Sequence, residues 1–241
     1  MRIRLTIAEI EARLAAVGSP ERASGEKRYL KSDLEFLGVS VPVIRKQARL
    51  WLRSRPDVPH DQLIRLVKAL WRRRTHELRS FGLELLVACR DLLLASDLEL
   101  VEWILRRANT WAHVDPVAVQ VAGHLVVAYP RSTNVIDRWA EDPELWVRRA
   151  ALLALLLPLR RGDGDWQRFT RYAEGMLEEK EFFIRKAIGW VLREAGQATP
   201  VRVTEFVTAH IATISGVTIR EAVRHLEPDD RERLMADYSS R

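Results

Sequence analysis

The sequence is a succession of moderate-length helical segments, each opened by a recognisable start signal, and no strand pattern competes with them. Ser19 and Pro20 are residue types preferred at the N-cap and first position of a helix. Asp165, which follows the glycine-rich link 162–164, is a second candidate N-cap. Two further pairs have the spacing of a capping box, Thr6 with Glu9 and Ser96 with Glu99. A chain built in this way predicts an all-α fold.

Clusters of basic residues recur along the chain at the length of a two-helix repeat. Their spacing is roughly 35–42 residues, within the range of HEAT-type repeats. The clusters are Arg72–Arg74, Arg106–Arg107, Arg148–Arg149, Arg185–Lys186, and Arg220 with Arg224. They predict a single domain over residues 1–241, a right-handed superhelical array (solenoid) of HEAT-like helical repeats with a concave basic groove. The alternative is an irregular helical domain whose paired arginines lie at the negative ends of helix dipoles.

The charge balance favours an anionic partner. The chain has 39 lysines and arginines against 33 aspartates and glutamates, a formal net charge of +6, and arginine predominates. Arginine suits bidentate phosphate contacts, so nucleic acid is favoured over an acidic small molecule, although a solvated cationic surface has the same composition. The single cysteine indicates a reducing compartment. The longest apolar run, 150–157, is too short to cross a bilayer, so we expect a cytoplasmic protein without a membrane partner.

The segment Lys180–Glu194, taken as a helix, has two unlike faces. One face is an ordinary apolar stripe for the core. It consists of Ile184, Ala187, Ile188, Val191 and Ala195. Trp190 lies more than about 90° away from this stripe, beside Phe183 and on the same side as Lys186 and Arg193. A large aromatic ring among cations, on a face turned away from the core, indicates contact with a polyanion.

Trp111 and Asp115, four residues apart in the link before an apolar helix, form the candidate reactive pair. Each has a structural alternative. Asp115 followed by Pro116 is a common pattern for a helix start, and an isolated tryptophan such as Trp111 commonly provides half-buried packing. Capping does not exclude function, because only one carboxylate oxygen is needed to bind the helix amides.

Arg149 lies on a helix with apolar residues on every side, so its guanidinium must reach either an external anion or an internal carboxylate. Asp142 and Glu144 are the nearby internal acceptors. His113 does not indicate a metal site, because the chain has one cysteine, six histidines and no metal-binding spacing. No P-loop, dinucleotide-binding or nucleophile-elbow pattern occurs, so we expect no cofactor.

Four segments together resemble the bacterial DNA alkylation-repair glycosylases built from HEAT-like repeats, the AlkD type. The run Lys180–Glu194 closely resembles the most specific signature of that family. Arg28–Lys31 with Phe36–Val39 resembles its N-terminal segment, Trp111-x-x-Val114-Asp115 its central motif, and Trp146–Ala151 its arginine helix. The resemblance covers roughly residues 20–225 in unbroken order.

This resemblance implies an activity and a role for each candidate residue. Asp115 is expected to be the catalytic carboxylate, with Trp111 and Trp190 as aromatic walls, and Arg149 is expected to hold backbone phosphate. Further DNA contacts are expected from Tyr29, Phe183, Arg148, Lys186 and Arg193. The implied reaction is hydrolysis of the N-glycosidic bond of N-alkylated purines, such as 3-methyladenine and 7-methylguanine, in double-stranded DNA. We expect a monomer that needs neither cofactor nor metal.

Three residues depart from the family pattern. Thr110 stands where some members have a second tryptophan, His113 occupies a variable position, and Pro116 follows the aspartate. These departures bear on efficiency and lesion range more than on the class of activity. Two other classes of protein stay open: a non-catalytic repeat protein that binds branched or distorted DNA through the same groove, and a helical scaffold for protein partners, whose concave face would be apolar or acidic.

Overall fold

A computed structural model describes residues 2–241 and divides into two compact units, the first ending at Val117 and the second formed by Ala118–Arg241. Within residues 2–241 the one extended pairing is an isolated bridge between Glu35 and Thr75. No helix in this range is both long and apolar enough to cross a membrane. The single domain over residues 1–241 stays a prediction.

The first unit is built from helices of about two to four turns joined by short links. They are α1 (Ile3–Ala15), α2 (Pro20–Leu30), α3 (Val41–Arg53), α4 (His60–Trp71), α5 (His76–Ala88), α6 (Leu98–Leu105) and α7 (Trp111–Pro116). Helix α5 packs against α3 and α4, and α1 packs against α4. Leucines spaced three to four residues apart on α4 give it a continuous buried face: Leu63, Leu66 and Leu70 are fully buried.

The second unit continues the same construction. A π-helical segment, Val117–Ala122, leads into it. Its helices are α8 (Gly123–Ala128), α9 (Thr133–Ala140), α10 (Leu145–Ala154), α11 (Leu156–Arg161), α12 (Trp166–Met176), α13 (Phe182–Ala195), α14 (Pro200–Ala209), α15 (Gly216–Ala222) and α16 (Pro228–Ser239). Helix α13 is central, since it packs against α10, α11 and α15.

The apolar stripe predicted on α13 is confirmed. All five of its side chains are fully buried: Ile184, Ala187, Ile188, Val191 and Ala195. Gly189 permits the close approach of α15, because a Cβ at this position would lie 2.7 Å from both the Cβ of Glu221 and the carbonyl oxygen of Thr218. Helix α13, which carries Trp190 and its polar neighbours Lys186 and Arg193, is therefore held close to α15.

The predicted helix starts are correct in part. Ser19 accepts a hydrogen bond from the Arg22 amide at 3.3 Å, and Asp165 accepts one from the Arg168 amide at 2.9 Å. The capping box at Thr6 is wrong, because α1 begins at Ile3 and the Thr6 hydroxyl donates to a carbonyl one turn earlier. The box at Ser96 is also wrong: it is Asp97 whose carboxylate accepts from the backbone, at the Leu94 amide, 2.8 Å away.

Candidate active site

Helix α7 carries Trp111 and Asp115. Thr110 is its N-cap, and the Thr110 hydroxyl accepts a hydrogen bond from the Ala112 amide at 3.3 Å. Asp115 and Pro116 therefore lie inside the helix, and the prediction that they begin one is wrong. Residues four apart lie on the same side of a helix, so Trp111 and Asp115, both half-buried, share a face.

Pro116 explains the irregular backbone that follows. Proline lacks the N–H that would bond to the carbonyl four residues earlier, and its ring crowds that carbonyl. The regular α-helical bonding ends at this residue, and the π-helical segment Val117–Ala122 follows directly. Single-turn π segments are frequent at functional sites, and this one comes immediately after the candidate carboxylate.

Tyr29 lies against Trp111 within the first unit. The two ring centroids are 6.1 Å apart and the rings are nearly perpendicular, at 87°, which is a favourable edge-to-face arrangement. The Tyr29 side chain is 72% exposed, and Trp111 is half-buried. An exposed aromatic ring braced by a half-buried one is suited to contact a flat or apolar part of a ligand.

The segment after Tyr29 is fixed by a buried carboxylate. Glu77, on the first turn of α5, is fully buried. Its oxygens accept hydrogen bonds from the amides of Leu37, Gly38 and Val39 at 2.9, 2.7 and 3.2 Å. Gly38 has a positive φ of 75°, which favours glycine. Sequence reasoning missed Glu77, because its partners are 38–40 residues away.

In the second unit, Arg149 and Phe183 lie together. Arg149 is only 3% exposed. Its guanidinium donates a hydrogen bond to the backbone carbonyl of Phe183 and lies 5.8 Å from the centre of the Phe183 phenyl ring. The Trp146 ring also packs against the Phe183 ring, with centroids 5.0 Å apart and planes tilted by 46°. The guanidinium of Arg149 is thus bound to the first turn of α13. Phe183, in that turn, and Trp190, further along the same helix, are both half-buried.

The other candidate cations have internal acceptors. Arg148 donates to both oxygens of Glu179, at 3.0 and 2.9 Å, and to the carbonyls of Asp142 and Pro143. Lys186 and Arg193 both pair with Glu221, which is 3% exposed. These pairs bring together residues that are far apart in sequence, and no local pattern indicated them.

The charge of Glu221 is stabilised by its partners. Burial raises the pKa of this carboxyl, but the hydrogen bond from Lys186 and the charges of Arg193, Lys186 and Arg224 outweigh burial, and the net pKa is lowered. Lys186 and Arg193 flank Trp190 on α13, at positions four before and three after it. The buried carboxylate therefore anchors the polar neighbours of the tryptophan.

Two imidazoles near α7 are held neutral. Burial, with some help from Arg79, lowers the pKa of His76 from its ordinary 6.5 to about 4. Burial, followed by the effects of His76 and Arg79, lowers the pKa of His113 well below its ordinary value. Over the described range 2–241, no group of three or more His, Cys, Asp or Glu side chains is arranged to hold a metal ion.

The structure thus places the candidate residues in two groups. The first unit contains Tyr29, Trp111 and Asp115, with Tyr29 on Trp111. The second contains Arg148, Arg149, Phe183, Lys186, Trp190 and Arg193, with Arg149 on Phe183.

Comparison with known proteins gives one family. The family model for the DNA alkylation repair enzyme matches residues 10–226. A solved structure of a predicted DNA alkylation repair enzyme from Enterococcus faecalis is 21% identical, with a TM-score of 0.78 and coverage of 88% of this chain and 97% of that chain. AlkD2 from Streptococcus mutans is 14% identical, with a TM-score of 0.60 and coverage of 98% and 97%. No curated protein matches. The all-α helical-repeat fold class predicted from the sequence is confirmed.

Proposed function

The chain belongs to the family of DNA alkylation repair enzymes, and from this we propose that it is a DNA glycosylase that releases cationic N-alkylated purines from double-stranded DNA. The observation that carries the proposal is the pairing of Asp115 with Trp111 on one face of α7, with the exposed ring of Tyr29 against Trp111. A carboxylate beside electron-rich rings suits a reaction in which positive charge develops.

The proposed substrate explains why one carboxylate is enough. A purine alkylated at N3 or N7 carries a formal positive charge, so it departs with the electron pair of the C1′–N9 bond and becomes neutral. It needs no general acid, unlike the leaving group of an ordinary glycosidase, which uses two carboxyl groups. Water then adds to C1′ and loses its proton to solvent. The requirement is to stabilise the cationic sugar and to orient that water.

Asp115 performs both tasks in this proposal. Its negative charge favours the oxocarbenium-like sugar, and a carboxylate oxygen orients the attacking water. Trp111, on the same face of α7, and Trp190, on α13, are the aromatic side chains that we assign to the sugar, because an electron-rich ring face favours a cation. Tyr29 and Phe183 contact the DNA beside them.

Phosphate contacts are assigned to Arg149, with Arg148, Lys186 and Arg193 as weaker ligands. Of these, Lys186 has 40% of its side chain exposed, whereas Arg149 is 3% exposed. Contact between Arg149 and a phosphate requires its guanidinium to turn from the Phe183 carbonyl toward the DNA. The salt dependence of binding tests this step, because each phosphate contact releases counterions.

The proposal is tested by release of free base. Duplex DNA treated with a methylating agent is incubated with the protein, and liberated 3-methyladenine and 7-methylguanine are separated by chromatography. Untreated duplex is the substrate control. Release that depends on both the protein and the methylation supports a glycosylase. Tight binding of the methylated duplex without release would instead support a non-catalytic protein that recognises distorted DNA.

A further inference from the structure

Four aromatic rings from three helices and a loop form a continuous column in the first unit, which we call the ring column; three of the rings are buried and that of Phe36 is half-buried. In order, they are Trp71, His113, His76 and Phe36. The His113 and His76 centroids are 4.4 Å apart with planes 25° apart, and His76 and Phe36 are 4.6 Å apart with planes 12° apart. Trp71 meets His113 edge-on at 5.2 Å. The ring column thus joins α4, α5, α7 and the loop after α2.

His113 attaches α7 to this column. It lies two residues after Trp111 and two before Asp115, so at 100° per residue it points about 160° away from each of them. Its side chain is fully buried, while Trp111 and Asp115 are half-buried. His113 therefore lies on the buried face of α7, opposite the face that carries Trp111 and Asp115.

The rings contribute more to this attachment than the hydrogen bonds do. His113 Nε2 lies 3.2 Å from the Ser80 hydroxyl, at the upper end of the usual range, and 3.4 Å from the His76 carbonyl oxygen, beyond that range. A neutral hydrogen bond adds little net stability, because it replaces bonds to water, whereas removal of a buried aromatic side chain is among the costliest changes in a protein core. The Nδ1 atoms of both histidines have no hydrogen-bond partner within residues 2–241. The nitrogen atoms of the two imidazoles therefore make few hydrogen bonds. We infer that the flat shape of the rings, which allows them to stack, is what stabilises the ring column.

We propose that His113 is a positioning residue for the glycosylase reaction. Its stacked ring fixes the rotation of α7, and thereby the direction in which Trp111 and Asp115 point. This role rests on the proposed function, because it matters for catalysis only if those two residues face the reacting sugar. Helix α7 itself spans less than two turns, and its buried side chains are His113 and Val114.

Two substitutions separate the ring from the bulk of the side chain. His113→Phe keeps a flat ring in the column, and His113→Leu keeps a similar buried volume without one. His60→Ala is the control for loss of an imidazole outside the ring column: His60 is at the opposite end of α4 from Trp71, about 16 Å along the helix, and its ring bonds to Asp97. All three variants are compared with the wild type in duplex binding, single-turnover base release and amide hydrogen exchange.

A displacement of about 1 Å at a reactive group can reduce a rate by about 100-fold. We expect His113→Leu to slow base release at least about tenfold with duplex Kd within about threefold. Amides of residues 113 and 114, which bond to the Thr110 carbonyl, should exchange faster in that variant by about tenfold or more. His113→Phe and His60→Ala should stay within about threefold of the wild type in all three measurements.

The hydrogen-exchange measurement keeps the two proposals separate. If the wild type releases no base, the proposed function fails, yet exchange still shows whether the ring holds α7. If His113→Leu and His113→Phe give the same amide exchange and the same rate of base release, a flat ring at this position has no special role. The ring column then only fills the core, and the positioning role of His113 is refuted. Faster exchange in His113→Leu with an unchanged rate would equally refute it, because α7 would then be loosened without consequence for the chemistry.

Discussion

Mild acid should destabilise the protein through the buried imidazole of His76. The pKa of this ring is about 4 in the folded protein against an ordinary 6.5. The cause is burial: the side chain is 6% exposed and lies between Phe36 and His113. When the pH lies between these two pKa values, the unfolded chain binds more protons than the folded protein. The contribution of the neutral His76 ring to the free energy of unfolding is therefore present at neutral pH and is lost as the pH falls.

The size of the effect follows from the two pKa values. A difference of 2.5 pH units corresponds to about 3 kcal/mol once the pH is at or below the folded pKa. About 2 kcal/mol of this is already lost between about pH 7 and pH 5, when the unfolded chain is protonated and the folded ring is still neutral. Carboxyl groups with lowered pKa, such as that of Asp137, lose their contribution at lower pH than this window.

The assay is urea unfolding of the wild type and of His76→Phe at both pH values. Because the other titrating groups are common to the two proteins, the difference between their free energies of unfolding reports His76 together with its effect on the adjacent His113. It should shift by about 2 kcal/mol in favour of the phenylalanine variant at the lower pH. Ile44→Val, a buried change without titration, should differ from the wild type by about 1 kcal/mol at both pH values. A difference between wild type and His76→Phe that is constant with pH would show that folding does not lower the pKa of His76.

Three further substitutions test contacts of the candidate site. Gly189→Ala should destabilise the protein by about 1–3 kcal/mol in urea unfolding, because the added Cβ meets α15 at 2.7 Å; an unchanged midpoint would mean that α13 and α15 are less close. Glu77→Gln should cost about 1–3 kcal/mol, since an amide N–H₂ would face one of three backbone donors, and wild-type stability would show that these bonds are dispensable. Arg149→Ala should weaken duplex binding and reduce the slope of log K against log salt by about one. An unchanged slope would mean that Arg149 makes no phosphate contact and only binds the Phe183 carbonyl.

The helices of the fold could be predicted because their signals are local. The stripe on α13 was predictable from spacing alone, since Ile184, Ile188 and Val191 recur at helical intervals and are all fully buried. The same local reasoning failed at Asp115. Its proline neighbour suggested a helix start, but Thr110 caps the helix five residues earlier, and the interruption due to Pro116 falls inside the helical segment.

The interactions that hold the site are long-range and left no signal in the sequence. Glu77 binds amides 38–40 residues earlier, and Glu221 meets Lys186 and Arg193 from 35 and 28 residues away. Lys186 and Arg193 did stand out, because they share a helix face with Trp190. Their buried carboxylate partner could be found only once α13 and α15 were placed side by side.

Base release in the proposed reaction depends on the negative charge of Asp115, and Asp115→Asn removes that charge while keeping the shape of the side chain. Single-turnover release of 7-methylguanine from methylated duplex should fall by at least about 100-fold, while the duplex Kd stays within about threefold of the wild type. Asp57→Asn, the same change at an exposed position of the first unit, should release base at the wild-type rate. Full activity in Asp115→Asn would rule out the proposed role of Asp115, because the sugar cation would then be stabilised without this carboxylate.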